Sequence, residues 1–333
     1  MLDARKTAIL RTVVAEHIRT GQPVGSSHVV RDPGIDVSPA TVRADMSALE
    51  REGYLTHPHT SAGRIPTDAG YRFFVDHLDP PGLDPARSEQ VQAFFSRAHG
   101  ELDRLLLDTS RLLSELTDHA AVVVAPAHEV LVVRSAILTR LAPRTCLFVA
   151  VLSNGAVDKH VIEVDEDVSE HEVIEATNRL GSLLVGTTFG TVPGSTPTGN
   201  VHVDRMIEAC LLSATREVAG VVDSDVFVGG TSKMAAQFPV SRTVHDLLAI
   251  LEQSVVVVSL LSEVLSLGQS VAIGAENGAA PLAECSLVVA PYELDDEVVG
   301  TIGVLGPTRM NYPQALAAVA VVSQHLGRQL SNG

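Results

Sequence analysis

Cysteine is scarce. Cys146, Cys210 and Cys285 are the only three in 333 residues, and they stand far apart. Such spacing supplies neither a thiolate zinc site nor a disulfide framework, and it suits a reducing compartment. Long apolar runs are missing too. The stretch VVVVSLLSEVLSL at 255–267 meets a charge well before the roughly 18 residues a membrane span needs. MLDARKTAIL places acid and base where a secretory leader would have a basic start and then an apolar run. A cytoplasmic chain with no membrane partner is expected. Catalytic signatures are equally thin. HEVIE at 171–175 has Glu where a zincin needs its second His, no G-x-S-x-G elbow occurs, and GGTSK at 229–233 lacks the spacing of a P-loop. The Gly- and Thr-rich segment 186–200 reads as a loop, and His57 and His59 flank Pro58 with no Cys or acid beside them. The expectation is therefore no enzyme, no metal and no cofactor.

Positive charge is also short overall, with a net charge of −16. Its distribution matters more than its sum. Residues 1–78 hold nine Lys/Arg and nine Asp/Glu, so the rest of the chain carries the whole deficit. Phosphate, if bound anywhere, should meet the N-terminal end. There the pattern is detailed. Ile9, Leu10, Val13, Val14 and Ile18 recur at helical spacing, GSSHVVRD suggests a short second helix capped by Ser26, and DPGID is a turn. In VSPATVRADMSALEREG, Ser38 stands at the N-cap, Pro39 at the first helical position and Gly53 just past the end. Val42, Met46 and Leu49 form its buried stripe, leaving Ala40, Arg43, Ala44, Ser47 and Arg51 opposite. Near its N-terminal end this face is slim with one fork-shaped donor, Arg43, which suits a major groove, with Ser38 and Thr41 at its leading end. YLTHP and RIPT read as two short strands around the turn HTSAG, and Thr67 or Asp68 caps a helix that buries Tyr71, Phe74 and Val75. His59, Thr60, Ser61 and Arg64 on this wing suit backbone or minor-groove contact. The N-terminal unit thus reads as a winged helix-turn-helix that binds double-stranded DNA.

GQPVGSSHV (21–29), VSPATVRADMSALEREGYL (37–55) and PHTSAGRIPTDAGYRFFVD (58–76) resemble the heat-inducible transcription repressor family HrcA, as do GGTSKMAAQFP (229–239), AIGAEN (272–277) and GTIGVLGPTRMNYPQAL (300–316). Many members carry Asn where this chain has Ala44, and usually Asn where it has Lys233. The resemblance implies a GAF-like sheet domain, a dimerising domain inserted into it, an inverted-repeat operator upstream of chaperone genes, a homodimer, and a chaperonin partner.

The remaining pattern is strands, helices, then strands again, an α+β multidomain order in which one sheet is interrupted. Residues 79–88 read as a linker, 89–116 as a helical stretch within a first sheet segment 89–165, 166–242 as the insertion and 243–333 as the second sheet segment. A further helix is expected from about 243 to 266 and a last one over about 313–331. In GPTRMNY, Asn311 or Tyr312 caps the last helix, and Arg309 either braces the junction through a carboxylate or faces a small ligand. The rival functions are a winged-helix regulator sensing a metabolite and, more remotely, an enzyme within 120–333.

Overall fold

The computed structural model describes residues 2–58, 63–78, 82–98, 102–126, 132–153, 157–164, 167–188, 196–219, 226–238, 241–294 and 297–331. Helices α1 (Ala4–Thr20), α2 (Ser26–Val29) and α3 (Pro39–Arg51) come first. The antiparallel strands β1 (Leu55–Thr56) and β2 (Ile65–Pro66) follow, and α4 (Asp68–Asp76) closes the unit. Asp3 caps α1, and Gly21 ends it in the left-handed region. Thr67 caps α4 by accepting a hydrogen bond from the Gly70 amide at 3.2 Å. Ser26, expected as a cap, is instead the first residue of α2, and Gly25 precedes it with no side-chain cap.

The expected linker already contains structure. Asp84 caps α5 (Pro85–Arg97), with Pro85 at the first position. The single helical stretch of 89–116 is two helices, because Ala98 leaves the helical region and α6 (Leu102–Thr117) starts afresh. The sequence between these two helices includes Gly100, a weak helix former.

The central sheet is five-stranded and antiparallel, in the order β7 (Val226–Gly229), β3 (Ala120–Val124), β10 (Glu297–Pro307), β9 (Cys285–Leu294), β8 (Val271–Ile273). One face packs on α6 and α12 (Tyr312–Ser331), with Ala121, Val123, Ile302 and Val304 pointing that way. The other takes Ala120, Val122, Val124 and Leu305 and is covered by α9 (Thr231–Gln237), α10 (Ser241–Leu251) and α11 (Ser254–Ser266). Burial on both faces is why β3 is apolar at every position. The helix expected over 243–266 is two helices bent by 92°. No single helix among the described residues is long and apolar enough to cross a membrane.

Strands β4 (Val133–Ala142), β5 (Thr145–Leu152) and β6 (Val157–Glu163) do not join that sheet. They form a separate three-stranded meander. Its inner face, including Leu138, Phe148, Ala150 and Ile162, is backed by α7 (Glu170–Leu184) and α8 (Val201–Ala219). The excursion from the central sheet therefore begins near residue 132, earlier than the expected 166. Short connections let these strands pair with their sequence neighbours and close a core of their own.

Candidate nucleic-acid interface

Helix α3 begins where its sequence signals place it. Ser38 accepts a hydrogen bond from the Thr41 amide at 3.2 Å, and the Ser38 and Thr41 hydroxyls pair at 2.9 Å. Val42, Met46 and Leu49 are buried in the core shared with α1. Charged pairs then fix its orientation: the half-exposed Arg5 meets the buried Asp45 carboxylate through Nε at 2.8 Å, and Lys6 meets Glu52 at 2.6 Å. Sequence reasoning missed both pairs, because their members lie forty or more residues apart and no local pattern links them.

The opposite face is open. Arg43 and Ala44 are exposed, Ser47 donates to the Arg43 carbonyl at 3.0 Å, and Arg51 reaches back to the Ser47 carbonyl at 3.3 Å. The Arg43 guanidinium makes no hydrogen bond or ion pair with any described residue. It is a donor fork on a fixed helix, with no partner among the described residues.

Arg64 is differently placed. Its backbone bridges Val24 through hydrogen bonds of 2.8 and 2.9 Å, while its Nε lies 2.7 Å from Glu50 Oε2, near enough for an ion pair yet misaligned for a hydrogen bond. His57 Nδ1 contacts the other Glu50 oxygen. Glu50 thus ties the end of α3 to both strands, and Arg64 is partly committed inside the unit. At Gly63 a Cβ would stand 2.5 Å from the Val24 backbone, so only glycine permits this approach. His59, Thr60 and Ser61 lie outside the described residues.

The other two candidate residues separate. Tyr312 is fully buried, its hydroxyl donating to the Thr308 carbonyl at 2.6 Å and lying 2.7 Å from Ser286 Oγ, so it braces the sheet-to-helix junction. Asn311 is the cap, accepting from the Gln314 amide at 3.3 Å. Arg309 is exposed in a cleft of about 450 Å³ lined also by Ile18, Arg19, His119, Gln237 and Gln314. It has no carboxylate partner among the described residues. Its guanidinium rests beside Gly21, at the negative end of the α1 dipole. Among the described residues no group of three His, Cys, Asp or Glu side chains is placed to hold a metal ion.

Two histidines border this cleft region. Burial, and then the neighbouring Arg309 charge, holds His17 below its ordinary value of 6.5, and burial does the same for His119. His17 Nδ1 meets the Tyr71 hydroxyl at 2.7 Å, and His119 Nδ1 meets Gln237 at 2.9 Å. In the unfolded chain both would take up protons near pH 6.5, while in the folded chain they do so only at lower pH. Their neutral burial thus contributes stability that is full above about 6.5 and declines as pH falls through that value. The thermal midpoint is expected to fall between about pH 7 and pH 5.5, before most carboxylates titrate. His119→Gln should flatten that slope in a thermal melt series; an unchanged slope would assign it to other groups.

The family model for the HrcA protein C terminal domain matches residues 103–316. The heat-inducible transcription repressor HrcA of Thermobifida fusca is 36% identical over 99% of this chain and 98% of its own length. Its counterpart in Nocardioides sp. is 38% identical over the whole of both chains. A crystal structure described as that of a hypothetical protein, 22% identical, superposes with a TM-score of 0.69 across 100% of this chain and 99% of its own, which shows a shared fold. On the family match and on identity sustained from end to end, this chain belongs to the HrcA family of heat-inducible transcription repressors.

Proposed function

We propose that the chain is a dimeric repressor of heat-shock chaperone genes that reads an inverted-repeat operator through a winged helix-turn-helix formed by residues 1–78. The observation that carries this reading is the open face of α3, where Arg43 is exposed and without a partner among the described residues on a helix that Asp45 and Glu52 tie to α1. Slim neighbours at Ala40 and Ala44 leave room for a base edge. The β1–β2 ladder is the wing. Fluorescence anisotropy with an inverted repeat from upstream of the organism's chaperonin genes tests the reading. Affinity equal to that for random duplex at the same salt would refute it.

The GAF-like domain is then the five-stranded sheet with its helices, and the insertion runs from about 132 to 219. Dimerisation falls to the outer face of the three-stranded sheet, where Ile137 pairs across strands with Val149, Leu147 with Val161, and Val151 with Val157. Ile137, Leu141, Val157 and Val161 are 42–62% exposed there. An apolar cluster in which Lys159 and Thr139 also stand, opposite Val149 and Leu147, suits a self-complementary two-fold contact, and an inverted repeat requires that symmetry.

The metabolite-sensing alternative has less support, because the donors around Arg309 are already engaged. Gln314 Nε2 donates to the Leu116 carbonyl and Gln237 Nε2 to the Asp118 carbonyl, while Arg19 pairs with Glu16. A pocket for a small anion needs several convergent free donors.

Coupling to a chaperonin is supported by the sheet's construction. Strand β3 pairs with β10 and β7, both far away in sequence, so apolar edges wait exposed until distant segments arrive. Refolding with chaperonin and ATP is expected to raise the fraction of chain active in operator binding. Equal active fractions with and without it would favour a repressor that senses heat directly.

A further inference from the structure

AIGAEN at 272–277 completes the sheet's edge strand β8 and the turn after it, and lies far in sequence from the N-terminal unit, yet it packs on α4. Arg72 of α4 grips both carboxylate oxygens of Glu276, Nε donating to Oε1 at 3.0 Å and Nη2 to Oε2; Nη2 also donates to the Val271 carbonyl at 2.8 Å, and Nη1 meets Asp76. Glu276 is itself fixed, accepting from the Ile273 amide at 2.9 Å. Asp68, one turn earlier on α4, accepts from the Ala275 amide at 3.2 Å. Gly274 makes that possible. Its φ is +56°, and a Cβ there would stand 2.1 Å from the Asp68 carboxylate. Next to this polar grip, Tyr71 of α4 packs on Tyr312 with ring centroids 5.9 Å apart, and residues of α1, α3 and α4 share one continuous apolar core with β8, β10 and α12.

We infer that Arg72, Asp68, Gly274 and Glu276 are positioning residues for operator reading: they hold each DNA-reading unit at a set angle on the sheet domain and thereby select the spacing between half-sites. This rests on the dimeric repressor reading above. A two-fold dimer can match one spacing only if its reading heads are rigidly mounted, since mobile heads adapt to several. The docked α4 leaves the α3 face open, so the contact orients the head without covering it.

The test uses the full-length protein and duplexes carrying either one half-site or the inverted repeat with its spacer lengthened and shortened. Arg72→Met and the milder Glu276→Gln, each checked for folding by circular dichroism, are compared with the unmodified chain. Both variants are expected to bind the single half-site within about twofold of the parent, to lose about tenfold on the natural repeat, and to discriminate spacers less sharply. Folded variants that keep the parent's spacer preference would overturn the inference, and so would variants that bind the natural repeat more tightly. If the unmodified chain binds none of these duplexes above random DNA, the repressor reading itself fails. If it binds the repeat but shows no spacer preference, only the positioning role fails.

Discussion

Replacing Arg43 with alanine is expected to cost operator binding about 1–3 kcal/mol per half-site, roughly 5- to 150-fold at each, while leaving the protein folded. The reason for the intact fold is that the side chain touches nothing it would leave unpaired, and alanine is the better helix former. Its cost to DNA binding follows from the mounting. Ser38 caps the helix, while Asp45 and Glu52 fix it to α1, so the Arg43 backbone is held in place and only the side chain's own rotamers are ordered on contact. Anisotropy titrations with operator and with scrambled duplex separate two outcomes. A loss confined to operator identifies a base contact; an equal loss on both, with a shallower salt dependence, identifies a phosphate contact. Arg64 should behave differently from either. Because its charge faces Glu50, Arg64→Ala disturbs the join between α3 and the strands as well as any phosphate contact.

Much of the N-terminal unit was legible because its signals are local. Ser38, Pro39 and Gly53 mark a helix within one short window, and the apolar positions of α1 and α3 recur at helical spacing. What escaped notice involves partners brought together by the fold. Glu50 gathers Arg64 and His57, and Glu276 gathers Arg72 from two hundred residues away; no periodicity announces such pairs. Arg309 illustrates the same limit. Its neighbours are set by where α1 ends in space, so the sequence favoured a brace through a carboxylate over a ligand contact but could name no partner for either.

The division of the strands was written in the sequence, though in a form easily passed over. Strand β5 alternates buried and partly exposed residues along its length, the mark of a sheet covered on one side. Strand β3 is buried at every position, the mark of a sheet covered on both. Treating all the Val- and Ala-rich segments as equivalent merged two sheets into one. Gly100 is a weak helix former that the apolar periodicity on either side obscured, whereas Glu252 and Gln253 are good helix formers and give no local sign of the break between Leu251 and Ser254.

That alternation leads to the second large effect. Val161, 62% exposed on the outer face and opposite Leu147, makes no contribution to the core behind the sheet. Val161→Asp should therefore fold normally as a single chain. In a two-fold contact built on this face it would bury an unpaired carboxylate in each copy, at about 3 kcal/mol apiece, weakening the dimer by roughly four orders of magnitude. Light scattering is expected to show a monomer. Operator binding should then lose the linkage between half-sites, falling on the order of 10²- to 10⁴-fold on the inverted repeat while single half-site binding stays near the parent value. Deleting residues 166–240 would be a poorer test, because α7 and α8 form the backing of the three-stranded sheet and the cut would strip that core and take β7 from the central sheet. A point charge leaves both cores intact and alters only the exposed face. If Val161→Asp remains dimeric, the interface lies elsewhere, and the surfaces of α5, α6 and the five-stranded sheet become the places to substitute next.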